Sequence, residues 1–277
     1  MSVSQIPEKG RSLGRRRFPG PRVPPNLLAI TLGIAGLALA WDAAVPLLGT
    51  AQLVPDVLNV LDAALWVVLV GAYLVQGPRV IMADLRDPIV SPFVSAAALT
   101  AMLLSAALAK EAFAAGRVLV IVCVAVTIVI GGWLTGQWMT GGTEPDSVHP
   151  GYFLPTAAGG LIGANAAAQV HLHALAEALF GIGVICWVLF ASMILNRLFT
   201  GRALPSALVP TMAIEFGIAG VGVFCGGGPG RELHGLRARR VRGPDGPGPG
   251  PADPGLPQAF LHTGILVLRL LLCRGRR

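Results

Sequence analysis

The 277 residues are 54% apolar and only 13% charged, whereas a soluble domain keeps about a quarter of its residues charged. That balance excludes an ordinary soluble globular protein and points to a polytopic membrane protein. The net charge of +7 does not point to nucleic acid, because the cations lie in tails and turns at the edges of apolar runs, where anionic headgroups are the nearer partner.

The first 25 residues carry Lys9, Arg11, Arg15, Arg16, Arg17 and Arg22 among several prolines, a polar tail too charged to be a secretory core. About 20 apolar residues cross a bilayer. Seven spans are predicted on that basis: Leu27 to Ala44, Leu58 to Val75, Val90 to Ala109, Val118 to Trp138, Tyr152 to Val170, Ala174 to Leu195 and Leu208 to Phe224. With the N-terminus cytoplasmic, inner segments hold the tail cations plus Arg79, Arg86, Arg197 and Arg202, against Lys110 and Arg117 outside, as the positive-inside rule prefers. Trp41 is expected as an interfacial anchor. Cys123 and Cys186 lie mid-span and read as small packing residues; Cys225 and Cys273 show no short-range pairing.

A proline stands at or near the start of each odd-numbered span: Pro25, Pro92, Pro155 and Pro210, at intervals of 67, 63 and 55 residues. The even spans contain none. This fits tandem helix hairpins, each adding one inner and one outer helix, although proline is tolerated in the first turn of any helix. Small residues gather on the odd spans, at Gly33, Gly36, Ser95, Gly159, Gly160, Gly163, Gly217 and Gly220. They either let helices approach closely or leave space along a central axis.

Asp42, Asp62 and Glu177 are expected within a turn or two of helix ends, in reach of interfacial water, while Glu215 sits in the seventh span, five residues after Pro210, and is the more suggestive acid. His171 and His173 form half of a metal site without further ligands and are better explained by a wet turn. No phosphate loop, His-Glu-x-x-His or Gly-x-Ser-x-Gly motif is present, so no catalytic residues, cofactor or metal are expected. Moving a solute is the default function.

Four motifs, in order, carry a family resemblance: Pro25-Asn26 leading to Gly33 through Trp41; Asp87-Pro88 leading to Ser91-Pro92-Phe93-Val94; Tyr152-Phe153-Leu154-Pro155-Thr156 with Gly159-Gly160; and Leu208-Val209-Pro210-Thr211 with Ile214-Glu215. Over residues 24 to 224 the chain resembles the tellurite-resistance and C4-dicarboxylate transporter family, in one superfamily with the plant slow anion channels. The resemblance implies an all-α membrane fold of ten helices in five hairpins around a central pore, assembled as a homotrimer in the plasma membrane. It also implies selective permeation of a small anion such as a C4-dicarboxylate, tellurite or sulfite. Pro92, Pro155 and Pro210 would be the kinks, and Phe93, Thr156, Gly159, Gly160, Thr211 and Glu215 would lie along the transport path. A phenylalanine on the ninth helix would close it.

The resemblance departs after Phe224, where Gly226-Gly227-Gly228-Pro229, five arginines between Arg231 and Arg242 and a Gly/Pro tract to Pro257 replace the expected helices. Three regions follow: a basic cytoplasmic tail (1–25), a transmembrane domain (26–224) and an aberrant or disordered tail (225–277). A frameshift near residues 225–230 explains the last, since LHTGILVL at 261–268 admits codons that, read one base later, spell a proline- and aromatic-rich string similar to the start of the family's ninth helix. The rival is a genuine basic tail. On the frameshift reading this chain is impaired in transport. A seven-helix receptor or assembly factor without transport activity is the alternative function, and a membrane enzyme is a lesser one.

Overall fold

A computed structural model describes residues 22–140, 144–206, 208–214 and 217. Among them there is no strand, and seven α-helices follow one another: α1 Leu28–Leu48, α2 Leu53–Val75, α3 Pro78–Arg86, α4 Ser91–Leu108, α5 Phe113–Met139, α6 Gly159–Gln169 and α7 His173–Thr200. Five of these helical runs are long and apolar enough to cross a bilayer. At 1.5 Å per residue, the 27 residues of α5 cover about 40 Å, the hydrocarbon core plus its interfaces.

The helices pair as α1–α2, α4–α5 and α6–α7, and the first members of the pairs touch in the order α1, α4, α6. Burial separates the two kinds. In its most apolar 18-residue window α4 is 72% buried, whereas α2, α5 and α7 are 11%, 22% and 17% buried. α6 is buried along nearly its whole length. The outer helices turn Val60, Leu61, Val67 and Val68 (α2), Val122 and Val129 (α5) and Ile185, Val188 and Leu189 (α7) outward. An apolar face of that kind is stable only against lipid or another apolar surface. Burial sets α4 and α6 apart from α2, α5 and α7, in line with the proline pattern, but α1 departs from it, being as exposed as α5 at 22%.

Small residues set the spacing. Gly160 of α6 and Gly183 of α7 meet so closely that a Cβ on Gly160 would lie 2.6 Å from the Gly183 Cα, and a Cβ on Gly183 would lie 2.8 Å from the Leu161 nitrogen. Gly116 faces Ala109 in the same way across the α4–α5 turn. Between α1 and α4 the seam includes a polar contact: the buried hydroxyls of Thr31 and Thr100 are 3.2 Å apart. Trp66 of α2 donates its indole N–H to the Ala97 carbonyl of α4 at 2.9 Å.

Several expectations change. The predicted fifth span is a composite: a 3-10 turn at Pro150–Phe153, a π turn at Leu154–Ala158 and then α6. The second span begins at Leu53 rather than Leu58, because Pro55 fits in its first turn, where a missing N–H costs nothing. An even helix thus does contain a proline, and α1 carries Pro46 near its end. The earlier start also puts Asp62 about 14 Å along α2, fully buried and without a hydrogen-bond partner among the described residues, and so not in reach of the interface. Helix α3 was not expected at all; it is short and amphipathic, with Arg79 and Arg86 outward and Val80 and Asp84 buried.

His171 and His173 flank the α6–α7 turn. His171 has φ +59°, the Leu172 N–H reaches the Ala167 carbonyl at 2.9 Å, and the His171 N–H reaches that of Ala168 at 3.2 Å, the two bonds of a Schellman cap. The histidine occupies the left-handed position that glycine takes most easily, which explains it as a turn residue.

The α6–α7 seam yields a prediction. Gly183→Leu, which forces the hairpin apart, should lower unfolding stability in detergent by about 2 kcal/mol or more, whereas Gly132→Leu, at an outer site with open space, should stay within about 0.5 kcal/mol. Thermal melts of the two variants against the parent check this.

Candidate functional site

The break at Pro155 organises the inner layer. Proline has no N–H and its ring crowds the carbonyl four residues back, so a regular α-helix cannot run through it. The chain widens instead, and the Gly159 N–H reaches back five residues to the Leu154 carbonyl. Leu154, Pro155, Ala157 and Ala158 are all buried, enclosed by α4, α5 and α7. Gly131 of α5 is required here, because a Cβ at that position would lie 2.5 Å from the Pro155 carbonyl oxygen.

The expected transport-path residues fall into distinct surroundings. Pro92 is buried at the start of α4, and its carbonyl accepts a hydrogen bond from the Ser95 hydroxyl at 2.6 Å. Phe93 is buried and stacks on His149, with ring centroids 5.7 Å apart and planes at 13°. Thr156 lies half-buried in the π turn, with a buried hydroxyl that has no hydrogen-bond partner among the described residues. Gly159 abuts Thr127 of α5 and Gly160 abuts Gly183 of α7, contacts that helix packing explains. Pro210 is exposed in a 3-10 turn, where the hydroxyl of the buried Thr211 donates to the Leu208 carbonyl at 2.6 Å. Glu215 and most of the seventh predicted span lie outside the described residues.

Polar groups gather at the two ends of the inner layer. At the end reached by the C-termini of α1, α4 and α6, a small open cleft is lined by Ala35, Ala38, Asp42, Asn59, Lys110 and Gln169, among others. Asp42 accepts from Lys110 Nζ at 2.5 Å and from Gln52 Nε2 at 2.6 Å, and Gln169 donates to Asn165 at 2.6 Å. The lysine that faces this cleft therefore has a carboxylate partner.

The other end carries more structure. His149 is fully buried; its Nδ1 accepts from the Gly151 N–H at 3.1 Å and its Nε2 lies 3.0 Å from the Ile89 carbonyl. With Nδ1 accepting, the proton is assigned to Nε2 and the ring is neutral. Burial, above all, pushes His149 down to about 4; the nearby charge of Arg197 adds to this and the Ile89 carbonyl opposes it. Asp87 caps the turn before α4, accepting from the N–H groups of Ile89 and Val90 at 2.9 and 3.2 Å. On the same side, Arg22 pairs with the buried Asp84, which the Tyr73 hydroxyl also reaches at 3.2 Å. Burial raises the Asp84 carboxyl above its ordinary value, and Arg22 and Tyr73 pull it back. Asp84 was not singled out from the sequence; the signal available was a polar residue beside otherwise apolar spans. Among the described residues no group of three or more His, Cys, Asp or Glu could hold a metal ion.

Apolar helices of bilayer length, lipid-facing outer members and a buried, proline-broken inner layer define a multi-pass helical membrane protein. The family model described as voltage-dependent anion channel matches residues 22–273, and the chain belongs to that family. The match runs on through most of the segment after Phe224. The chain is also similar to the tellurite resistance protein TehA homolog of Haemophilus influenzae, 28% identical over 180 residues, which are 64% of this chain and 55% of that protein. The chain thus spans about half the length of that relative.

The histidine gives a pH prediction. Its folded value lies below the ordinary 6.5, so its contribution to stability is complete above pH 6.5 and is lost as pH falls from 6.5 through 4. The parent should lose up to roughly 3 kcal/mol over that window, and His149→Gln should lose correspondingly less, as read from melts at pH 7.5 and 4.5.

Proposed function

We propose that this protein provides a passive path for small anions across a cell membrane, with α1, α4 and α6 on the inside of the path and α2, α5 and α7 against lipid. The observation that carries this proposal is the buried break at Pro155 in an inner helix of a voltage-dependent anion channel family member. Irregular backbone at membrane depth persists only where protein or a water-filled passage covers it. The polar cleft at one end of the inner layer serves as a mouth, with Lys110 attracting anions and Asp42 moderating that attraction. Pro92, Phe93, Pro155, Thr156, Gly159, Gly160, Pro210, Thr211 and Glu215 remain the path candidates, with selectivity set by positive potential and helix-end dipoles. The anion is of the C4-dicarboxylate, tellurite or sulfite kind, the assembly is a homotrimer in the plasma membrane, and the N-terminus is cytoplasmic. The segment from 225 onward is read as frameshifted and the chain as impaired.

Reconstituted liposomes test both parts. Anion efflux should be low for the chain as written and should rise at least about tenfold when the alternative frame after codon 225 is restored. Equal efflux from both forms rejects the impairment, and no efflux from either rejects the permeation path.

A second prediction concerns the mouth. In the conducting form, Asp42→Asn leaves Lys110 unpaired and should raise anion flux at 20 mM salt, an advantage that shrinks at 500 mM as the charge is screened; Lys110→Gln should do the opposite. Flux measured at the two ionic strengths decides it.

A further inference from the structure

Arg197 stands in the last turn of α7 and is only 7% exposed. Among the described residues its guanidinium makes one hydrogen bond, from Nη2 to the Asp146 carbonyl at 3.1 Å, while Nε and Nη1 have no partner there. The ion pairs found among the described residues are Arg22 with Asp84 and Lys110 with Asp42, and neither includes it. A guanidinium does not give up its proton inside a protein, so the charge stays. A buried charge with no counter-ion and only one acceptor costs several kcal/mol.

The neighbours do not supply the missing acceptors. Arg197 continues the α7 stripe of Phe190 and Ile194, at helical spacing, toward the 144–153 segment. Phe190 lies edge-on to Trp138 with centroids 6.0 Å apart, and Trp138 lies against Tyr152 at 4.2 Å. His149 feels the charge of Arg197 but is neutral, with both ring nitrogens engaged. Asp146 offers its backbone carbonyl. Tyr152, whose ring meets that of His149 edge-on at 5.3 Å, has a buried hydroxyl whose nearest polar neighbour among the described residues is the Ser147 side chain, close enough to act on it as a hydrogen-bonding group. The carbonyl end of α7 favours a cation, but it does not satisfy N–H groups that point away from it.

We propose that Arg197, with the Tyr152 hydroxyl as a second donor on the adjoining segment, forms a binding site for a phosphate-class oxyanion, separate from the α1, α4 and α6 path. A planar guanidinium with several free N–H groups suits a group that presents more than one acceptor oxygen, better than it suits a halide. The phosphate belongs either to a soluble anion or to a phospholipid headgroup; the exposed Arg79 and Arg86 of α3 lie at the same membrane face. This inference rests on an uncompensated buried charge and does not depend on conduction.

The test uses the full chain in dodecyl maltoside micelles, which contain no phosphate, with Tm followed by tryptophan fluorescence. One arm titrates inorganic phosphate against chloride at matched ionic strength; the other adds phosphatidylglycerol to the micelles in phosphate-free buffer. A saturable rise in Tm in the first arm identifies a soluble anion, and a rise in the second identifies the headgroup. In either case Arg197→Gln should abolish the rise and Arg197→Lys should weaken apparent binding about tenfold. The proposal is overturned if the parent responds in neither arm, or if Arg197→Gln responds as the parent does. Should Arg197→Gln fail to fold, Arg197→Lys and Tyr152→Phe carry the test, and parent-like binding by both overturns it.

Discussion

Backbone hydrogen bonding in a medium without water constrains everything else in this protein. Each N–H and C=O at membrane depth must find a partner inside the chain, which is why the described spans are helices. Pro155 removes one donor in an inner segment, and the chain answers with a five-residue bond to the Leu154 carbonyl and with burial on all sides. Gly131 lets α5 come close enough to cover the exposed carbonyl of Pro155. The break, the neighbouring glycine and the apolar outer faces form one solution rather than three separate features.

Close approach does for the hairpins what apolar attraction does in water. Lipid tails are as apolar as leucine, so helices gain from fit and from hydrogen bonds rather than from escaping solvent. The glycine seam between α6 and α7 supplies fit, and the Thr31 and Thr100 hydroxyls and the Trp66 indole supply polar links from α4 to α1 and α2. Charged residues are concentrated at the ends, with partners: Lys110 with Asp42 at one face, Arg22 with Asp84 at the other. Asp62 and Arg197 stand out because neither has a charged partner among the described residues.

The strongly apolar, long segments were legible from composition and interruption alone, because a bilayer span leaves few other options for such a run. Alternation of inner and outer helices was legible through proline and small residues, since those types concentrate where backbones bend or touch. Helix α3 escaped notice because nine residues of mixed polarity resemble a turn. The depth of Asp62 was misjudged because Pro55 looked like a boundary when it was the first turn of the helix. His149 and Arg197 belong to no motif. Their significance comes from being enclosed by residues about 50 to 60 positions away in the chain, Ile89 and Asp146 respectively, which no local pattern encodes.

The glycine seam has a mechanical consequence. Two helices whose backbones touch cannot slide without collision, so the pair formed by residues 159 to 200 behaves as a single stiff strut, anchored at one end by a tight cap around His171. The junction of α1 with α4, linked by paired hydroxyls of which Thr31 also reaches the Leu28 carbonyl, offers a softer joint. Rearrangement of these helices is thereby directed to the boundaries between hairpins, where hydroxyl contacts can be remade without parting two glycine-to-glycine surfaces.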